Sequence, residues 1–369
     1  MKRYRSIDSC RGLCMFIMVY GHLFDWWLTP KDRWLFVDFL KPFLGPIGAT
    51  GFIFVSGISA GLSYKKNKMK DSNEFFQKDV RNIYLFRALI ILIISFVYNF
   101  AIAVNRKDLS FIWAWFVLQT IGFSLLLAYP FLKTSKQFRF ILGLCILIGN
   151  QLILEILSPY EGQANYMGIL YHFLFNPLTQ YPLFYYFPIL LIGTVVGDTL
   201  CEINLINNEN KRGLDFKRKF IYFLLPLGII LLLFGLLYKF PDFFVFASYS
   251  AIIYGFGVVI CIFLIFMVIE EYKLFKTKKS YRYLYYFSYY SFTIYLAHNL
   301  LYFLFLKQLN VVNIWIPVIS LIIFFGWFLR VVHNYLGIKV SLKAGINIAS
   351  LYMAKKIQIK RRNLKKLIQ

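Results

Sequence analysis

Acidic residues are scarce in this sequence: 17 Asp and Glu stand against 41 Lys and Arg in 369 positions, a formal net charge of +24. Charged residues of both signs reach only 16%, too few for the surface of a soluble globule. Histidine is rare, with 4 copies, and cysteine occurs 5 times. Those cysteines (Cys10, Cys14, Cys145, Cys201, Cys261) lie in apolar runs or at their ends, so no disulfide framework is expected. No Cys/His group has ligand spacing, and no metal is expected. Short alternating strand patterns are missing as well, which excludes a membrane β-barrel.

What the chain has in abundance is apolar bulk, with 59% hydrophobic and 20% aromatic residues. Runs of about 20 apolar residues recur along it, each long enough to cross a hydrocarbon core. Ten spans, at most eleven, are expected, near 10–29, 43–64, 84–104, 110–131, 138–157, 183–200, 219–238, 247–270, 285–306 and 311–332. Lipid offers the backbone no hydrogen bonds, so the spans must be α-helices. The expected fold is an all-α, polytopic integral membrane helix bundle. Met1 to Ser9 is polar and the first apolar run is long, so no cleavable signal peptide is expected.

The basic residues are not spread evenly. With the N-terminus on the cytoplasmic side, inner segments hold 32 Lys and Arg and outer segments 7, with Arg11 and Arg87 just inside inner helix ends. That asymmetry is the positive-inside pattern and sets both termini in the cytoplasm. Basicity here reports topology, so a nucleic-acid partner is not expected. Two domains are expected: a membrane domain over 1–332 and a basic cytoplasmic tail over 333–369. The tail mixes Lys/Arg with spaced Leu/Ile and suits an interfacial helix on the anionic inner leaflet. The long inner connection 65–83 is polar, basic and expected to be partly helical. The outer stretch "YMGILYHFLFNPLTQY" is too short to span and is expected to lie on the outer surface or dip in as a cap. "GISAG" and "GTVVG" carry small residues four apart, which let helices approach closely in lipid.

Chemistry concentrates on the first span. Arg11 and His22 are eleven residues apart, about three helical turns or roughly 16 Å along one face. Asp8 and Asp25 adjoin that face, each three residues from a pole, with Met15 and Met18 between. Ionisable groups inside a span face a cavity or a partner. A carboxylate one turn away, Asp25, is placed to orient the His22 imidazole. His298, on the ninth span, sits at a depth similar to His22 and shares a face with Ser291 and Tyr295. A polar chamber in the outer half of the bundle follows from these two histidines. His172 lies in an outer loop and His333 at the inner end. At the inner pole, Lys65, Lys66, Arg81 and Arg87 form part of a basic cluster suited to phosphates.

These segments resemble a known group. "RYRSIDSCRGLCMFIMVYGH" resembles the first span of the transmembrane acyltransferase superfamily, whose branches include the acyltransferase-three and the heparan-α-glucosaminide acetyltransferase-like proteins. The Arg11–His22 spacing is similar to the acyltransferase-three hallmark. "GFIFVSGISAGLS", "FVLQTIGFSLLLAY", "YPLFYYFPILLIGTVVGD" and "FSYYSFTIYLAHNLL" resemble later spans of the heparan branch. One departure is clear: the loop "FDWWLTPKDRW" has no histidine, where the heparan enzyme carries its own. The resemblance implies a multi-pass enzyme that passes an acyl group, expected to be acetyl, from cytoplasmic acyl-CoA to a carbohydrate, glycolipid or other cell-envelope acceptor in the plasma membrane. Within it Arg11 would hold the donor, alongside Arg81, Arg87, Lys65 and Lys66, and His22 would be the catalytic histidine.

Acyl transfer needs a base for the acceptor's proton and donors for the oxyanion. His22, oriented by Asp25, is expected to be the base, with His298 or Tyr295 stabilising the tetrahedral intermediate. Membrane lipids are the expected surroundings, and a homodimer is compatible with the reading. The competing class is a proton-coupled secondary transporter of an anionic solute, in which histidines and carboxylates relay protons. Repeated halves, its usual signature, are not visible.

Overall fold

A computed structural model describes residues 3–70, 74–176, 181–238, 248–274 and 282–368. Lys2, Lys239, Lys276, Lys278 and Lys279 of the charge tally, and part of the outer stretch after His172, lie outside them. In chain order the helices are α1 (Arg5–Trp27), α2 (Lys41–Lys70), α3 (Glu74–Arg106), α4 (Val117–Phe131), α5 (Lys136–Leu157), α6 (Tyr166–Leu174) and α7 (Leu183–Asn204). They continue as α8 (Glu209–Phe216), α9 (Tyr222–Leu237), α10 (Tyr249–Glu271), α11 (Arg282–Tyr289), α12 (Ser291–Ala297), α13 (Trp315–Tyr335) and α14 (Leu342–Ile368). Among the described residues there is no named strand, and the fold is an all-α polytopic bundle.

Among the described residues, eight helical stretches are long and apolar enough to cross a membrane. Two expected spans are not among them. Helix α1 has 23 residues, long enough at about 1.5 Å per residue, but its stripe of Arg5, Asp8, Arg11 and Asp25 dilutes its apolarity. The span expected at 285–306 is not one helix. It breaks at Tyr290, whose backbone (φ −97°, ψ 14°) leaves helical geometry, and passes into a 3-10 turn over His298–Phe303. Side chains stitch a later turn onto the break: Tyr290 donates its hydroxyl to the Gly337 carbonyl (2.9 Å), and Thr293 to that of Val340 (2.9 Å).

The chain forms two compact units, Met1–Val55 with Ile203–Lys343, and Ser56–Glu202 with Ala344–Gln369. In the first, α1 packs against α10, α11 and α12. Gly12 is what permits the contact with α11, because a Cβ there would lie 1.9 Å from the Leu284 carbonyl oxygen. A side chain cannot push backbone aside at that range, so only glycine fits. Beyond α1, Leu28 pairs with Leu309 in an isolated parallel bridge. Thr29 donates to the Leu309 carbonyl (2.8 Å), and Lys307 and Leu309 donate to those of Trp26 and Trp27 (2.9 Å each). The Trp27 indole donates to the Leu301 carbonyl (2.9 Å). The segment following His298 is thereby tied to the end of α1.

In the second unit, α2 and α7 approach closely, as the small-residue spacing leads one to expect. Cβ atoms on Gly57 and Gly61 would meet the carbonyls of Leu190 and Thr194, and one on Gly197 that of Ile58. Arg139 of α5 is 1% exposed and donates to the Thr194 hydroxyl (2.9 Å) and to Asp198 of α7. The long basic connection is mostly helix: α2 runs on to Lys70 and α3 starts at Glu74.

Candidate active site

The site builds upward from the first turn of α1. Glu270 of α10 accepts the backbone N–H groups of Arg5 (3.0 Å) and Ser6 (2.7 Å) and the Ser6 hydroxyl (2.6 Å). A carboxylate at this place satisfies amides that have no partner inside the helix and complements its positive end. Further along, Arg11 is only 7% exposed. Its guanidinium donates to Asp8 (3.4 Å) and the Ser288 hydroxyl (3.5 Å). Ser288 also donates to Asp8 (3.2 Å), as does Arg3 (2.6 Å). The Arg11 charge is held inside the unit by a carboxylate shared with two other donors.

Three turns on, His22 and His298 meet, their ring centroids 5.2 Å apart and inclined by 34°. The bridge between the end of α1 and residue 309 is what brings α12 and its following turn to that place. Trp26, one turn beyond His22, stacks on it at 4.9 Å with 13° between planes. The same indole lies 5.6 Å from His298 at 21°, and Tyr302 closes on it edge-on at 5.6 Å. His298 itself is buried. Its Nδ1 is 2.5 Å from the Tyr295 carbonyl oxygen. Tyr295 is buried as well, with its ring 5.6 Å from His298.

Asp25 departs from expectation. It accepts two hydrogen bonds from Arg33, at 3.0 and 2.6 Å, and none from His22. Three residues turn a helix by about 300°, and the loop after α1 supplies a guanidinium that a carboxylate prefers to an imidazole. Trp26, at four-residue spacing, is the neighbour His22 has instead.

The basic residues expected to hold a donor stand in the second unit. Lys65 donates to Glu202 (3.0 Å), which Lys136 also contacts (2.5 Å). Arg87 reaches Asn347 of α14 through Nε (2.8 Å). Arg81 makes a long contact with Asn82 (3.4 Å), and Lys66 is half-buried. His172 accepts the Gly162 N–H (3.4 Å), and His333 lies 3.3 Å from the Tyr290 hydroxyl. Among the described residues, no group of His, Cys, Asp and Glu could hold a metal ion.

Sequence reasoning missed Trp26, Ser288 and the Arg139–Asp198 pair. Trp26 carried a signal, its one-turn spacing from His22. Arg139 and Asp198 carried one too, since each interrupts an apolar run ("FRFILGL", "GTVVGDTL"). Ser288 carried none, because only folding brings it to Arg11.

A family model described as heparan-alpha-glucosaminide N-acetyltransferase, catalytic, matches residues 3–214, more than half of the chain and inclusive of Arg11 and His22. No curated protein and no solved structure matches it. With the helical fold, the buried cation of α1 and its imidazole as described, the chain belongs to the heparan-alpha-glucosaminide N-acetyltransferase catalytic family of multi-pass membrane acetyltransferases.

Proposed function

We propose that this protein transfers an acetyl group from cytoplasmic acetyl-CoA to a carbohydrate or glycolipid acceptor of the cell envelope, with His22 as general base. The observation that carries the reading is the meeting of His22 and His298 at 5.2 Å, at the far end of the helix that buries Arg11. A neutral imidazole is suited to take the acceptor's proton. Arg11 is the residue to answer a phosphate of the donor, because a guanidinium binds phosphate oxygens in paired, charge-assisted fashion. Asp8 and Ser288 fix its position. Within the second unit, Lys65, Lys66, Arg81 and Arg87 are a basic group suited to phosphates, which would compete there with Glu202 and Asn347. Tyr295 acts through its carbonyl on His298. The membrane is the plasma membrane, both termini face the cytoplasm, and the tail helix α14 lies on the inner leaflet.

The test uses the purified full-length protein with acetyl-CoA and glucosamine, following release of the CoA thiol. His22→Ala is expected to lose transfer by a factor of about 100 or more while acetyl-CoA still binds. Arg11→Ala is expected to raise KM for acetyl-CoA more than it lowers kcat. Undiminished turnover in His22→Ala would refute the reading.

A further inference from the structure

His298 lies beyond the segment that matches the family model, which ends at residue 214. Its tautomer is fixed by its surroundings. The Tyr295 carbonyl oxygen 2.5 Å from Nδ1 can only accept, so neutral His298 carries its hydrogen on Nδ1 and a lone pair on Nε2. In that state it has no N–H left for an oxyanion, and the role expected of it from sequence falls away. What it offers is a proton acceptor, buried and held still. The nearest imidazole is that of His22, its ring centroid 5.2 Å away and its plane inclined by 34°. At this separation a single water can join nitrogens of the two rings.

We propose that His298 is a proton relay for His22, so that the two imidazoles act as one base. This rests on the reading of His22 given above. As the acceptor's oxygen or nitrogen forms its new bond to the acyl carbon, its proton passes to one ring nitrogen of His22. The proton on the other His22 nitrogen moves to Nε2 of His298. The carbon–sulfur bond of the thioester then breaks, and the departing thiolate takes one proton back through the pair. Acceptor and thioester have become acylated acceptor and thiol, and both imidazoles end neutral. While His298 holds the second proton, two features of the site favour its charge: the Tyr295 carbonyl accepting from Nδ1, and the Trp26 ring face 5.6 Å away at 21°. A cation within about 6 Å of an indole centroid is attracted by it. His298 is thus a positioning residue of a chemical kind: it acts on substrate only through His22.

The experiment follows CoA thiol release from acetyl-CoA with glucosamine, using the full-length protein in lipid nanodiscs, in mixtures of H2O and D2O. Two protons in flight make the wild-type rate bow downward against deuterium fraction. His298→Asn should lower kcat by a factor of about 100, leave KM for acetyl-CoA unchanged, and straighten the plot to the line of a single proton. In His298→Gly, added imidazole should restore part of the rate. A straight plot for the wild type overturns the relay without any variant being needed. So does full turnover in His298→Asn beside an inactive His22→Ala, which leaves the function standing. A wild type that releases no thiol overturns the function, and the relay with it.

Discussion

At the scale of single residues, the chain is decided by a few positions with no tolerance. Gly12 is one. A methyl group there would sit 1.9 Å from the Leu284 carbonyl oxygen, so α1 and α11 would have to part. Gly12→Ala should cost about 1–3 kcal/mol, the usual penalty of overpacking, read as a lower thermal midpoint in detergent. Gly149 is the control, since nothing lies within 4 Å of its Cβ position. Gly149→Ala should hold or raise the midpoint, because alanine favours a helix interior by about 1 kcal/mol. His22 and Arg11 were legible as residues because a charge inside an apolar run demands a reason. Their partners were not. Asp25 looked like a partner by spacing, yet side-chain direction gave it to Arg33.

At the scale of helices, α5 and α7 are joined by the Arg139–Asp198 pair, whose side chains are 1% and 6% exposed. A buried pair of this kind contributes little over apolar residues of equal volume, but breaking it strands a charge at about 3–5 kcal/mol. Arg139→Met or Asp198→Asn should therefore each lower the thermal midpoint sharply. Arg139→Met combined with Asp198→Leu should recover most of the loss. A double variant as unstable as the worse single one would show that the pair does more than hold two helices. The long apolar runs were legible as helices because lipid permits little else. The break of the ninth span into α11, α12 and a 3-10 turn was not, since composition does not record that Tyr290 spends its hydroxyl on a distant carbonyl.

At the scale of the molecule, hydropathy and charge asymmetry outlined a polytopic α-bundle before any coordinates. The proposed orientation has a direct check. Single cysteines introduced on a background lacking Cys10, Cys14, Cys145, Cys201 and Cys261, at Lys339 and at Arg106, should differ in intact cells. An impermeant maleimide should label the second and spare the first. The opposite pattern would invert the bundle, and labelling of both would defeat the assignment. The two compact units were not foreseen, because the tail read as an appendage while α14 groups with Ser56–Glu202. Contacts between segments distant in sequence leave no periodic trace to read.

The pairing of Leu28 with Leu309 joins segments that are made far apart in time. His298 leaves the ribosome 276 residues after His22, when most of the chain has already entered the bilayer. A nascent chain stopped before that point holds His22 without the neighbour proposed to complete its chemistry. On the proposed relay, a message truncated before residue 298 would therefore make an inert protein.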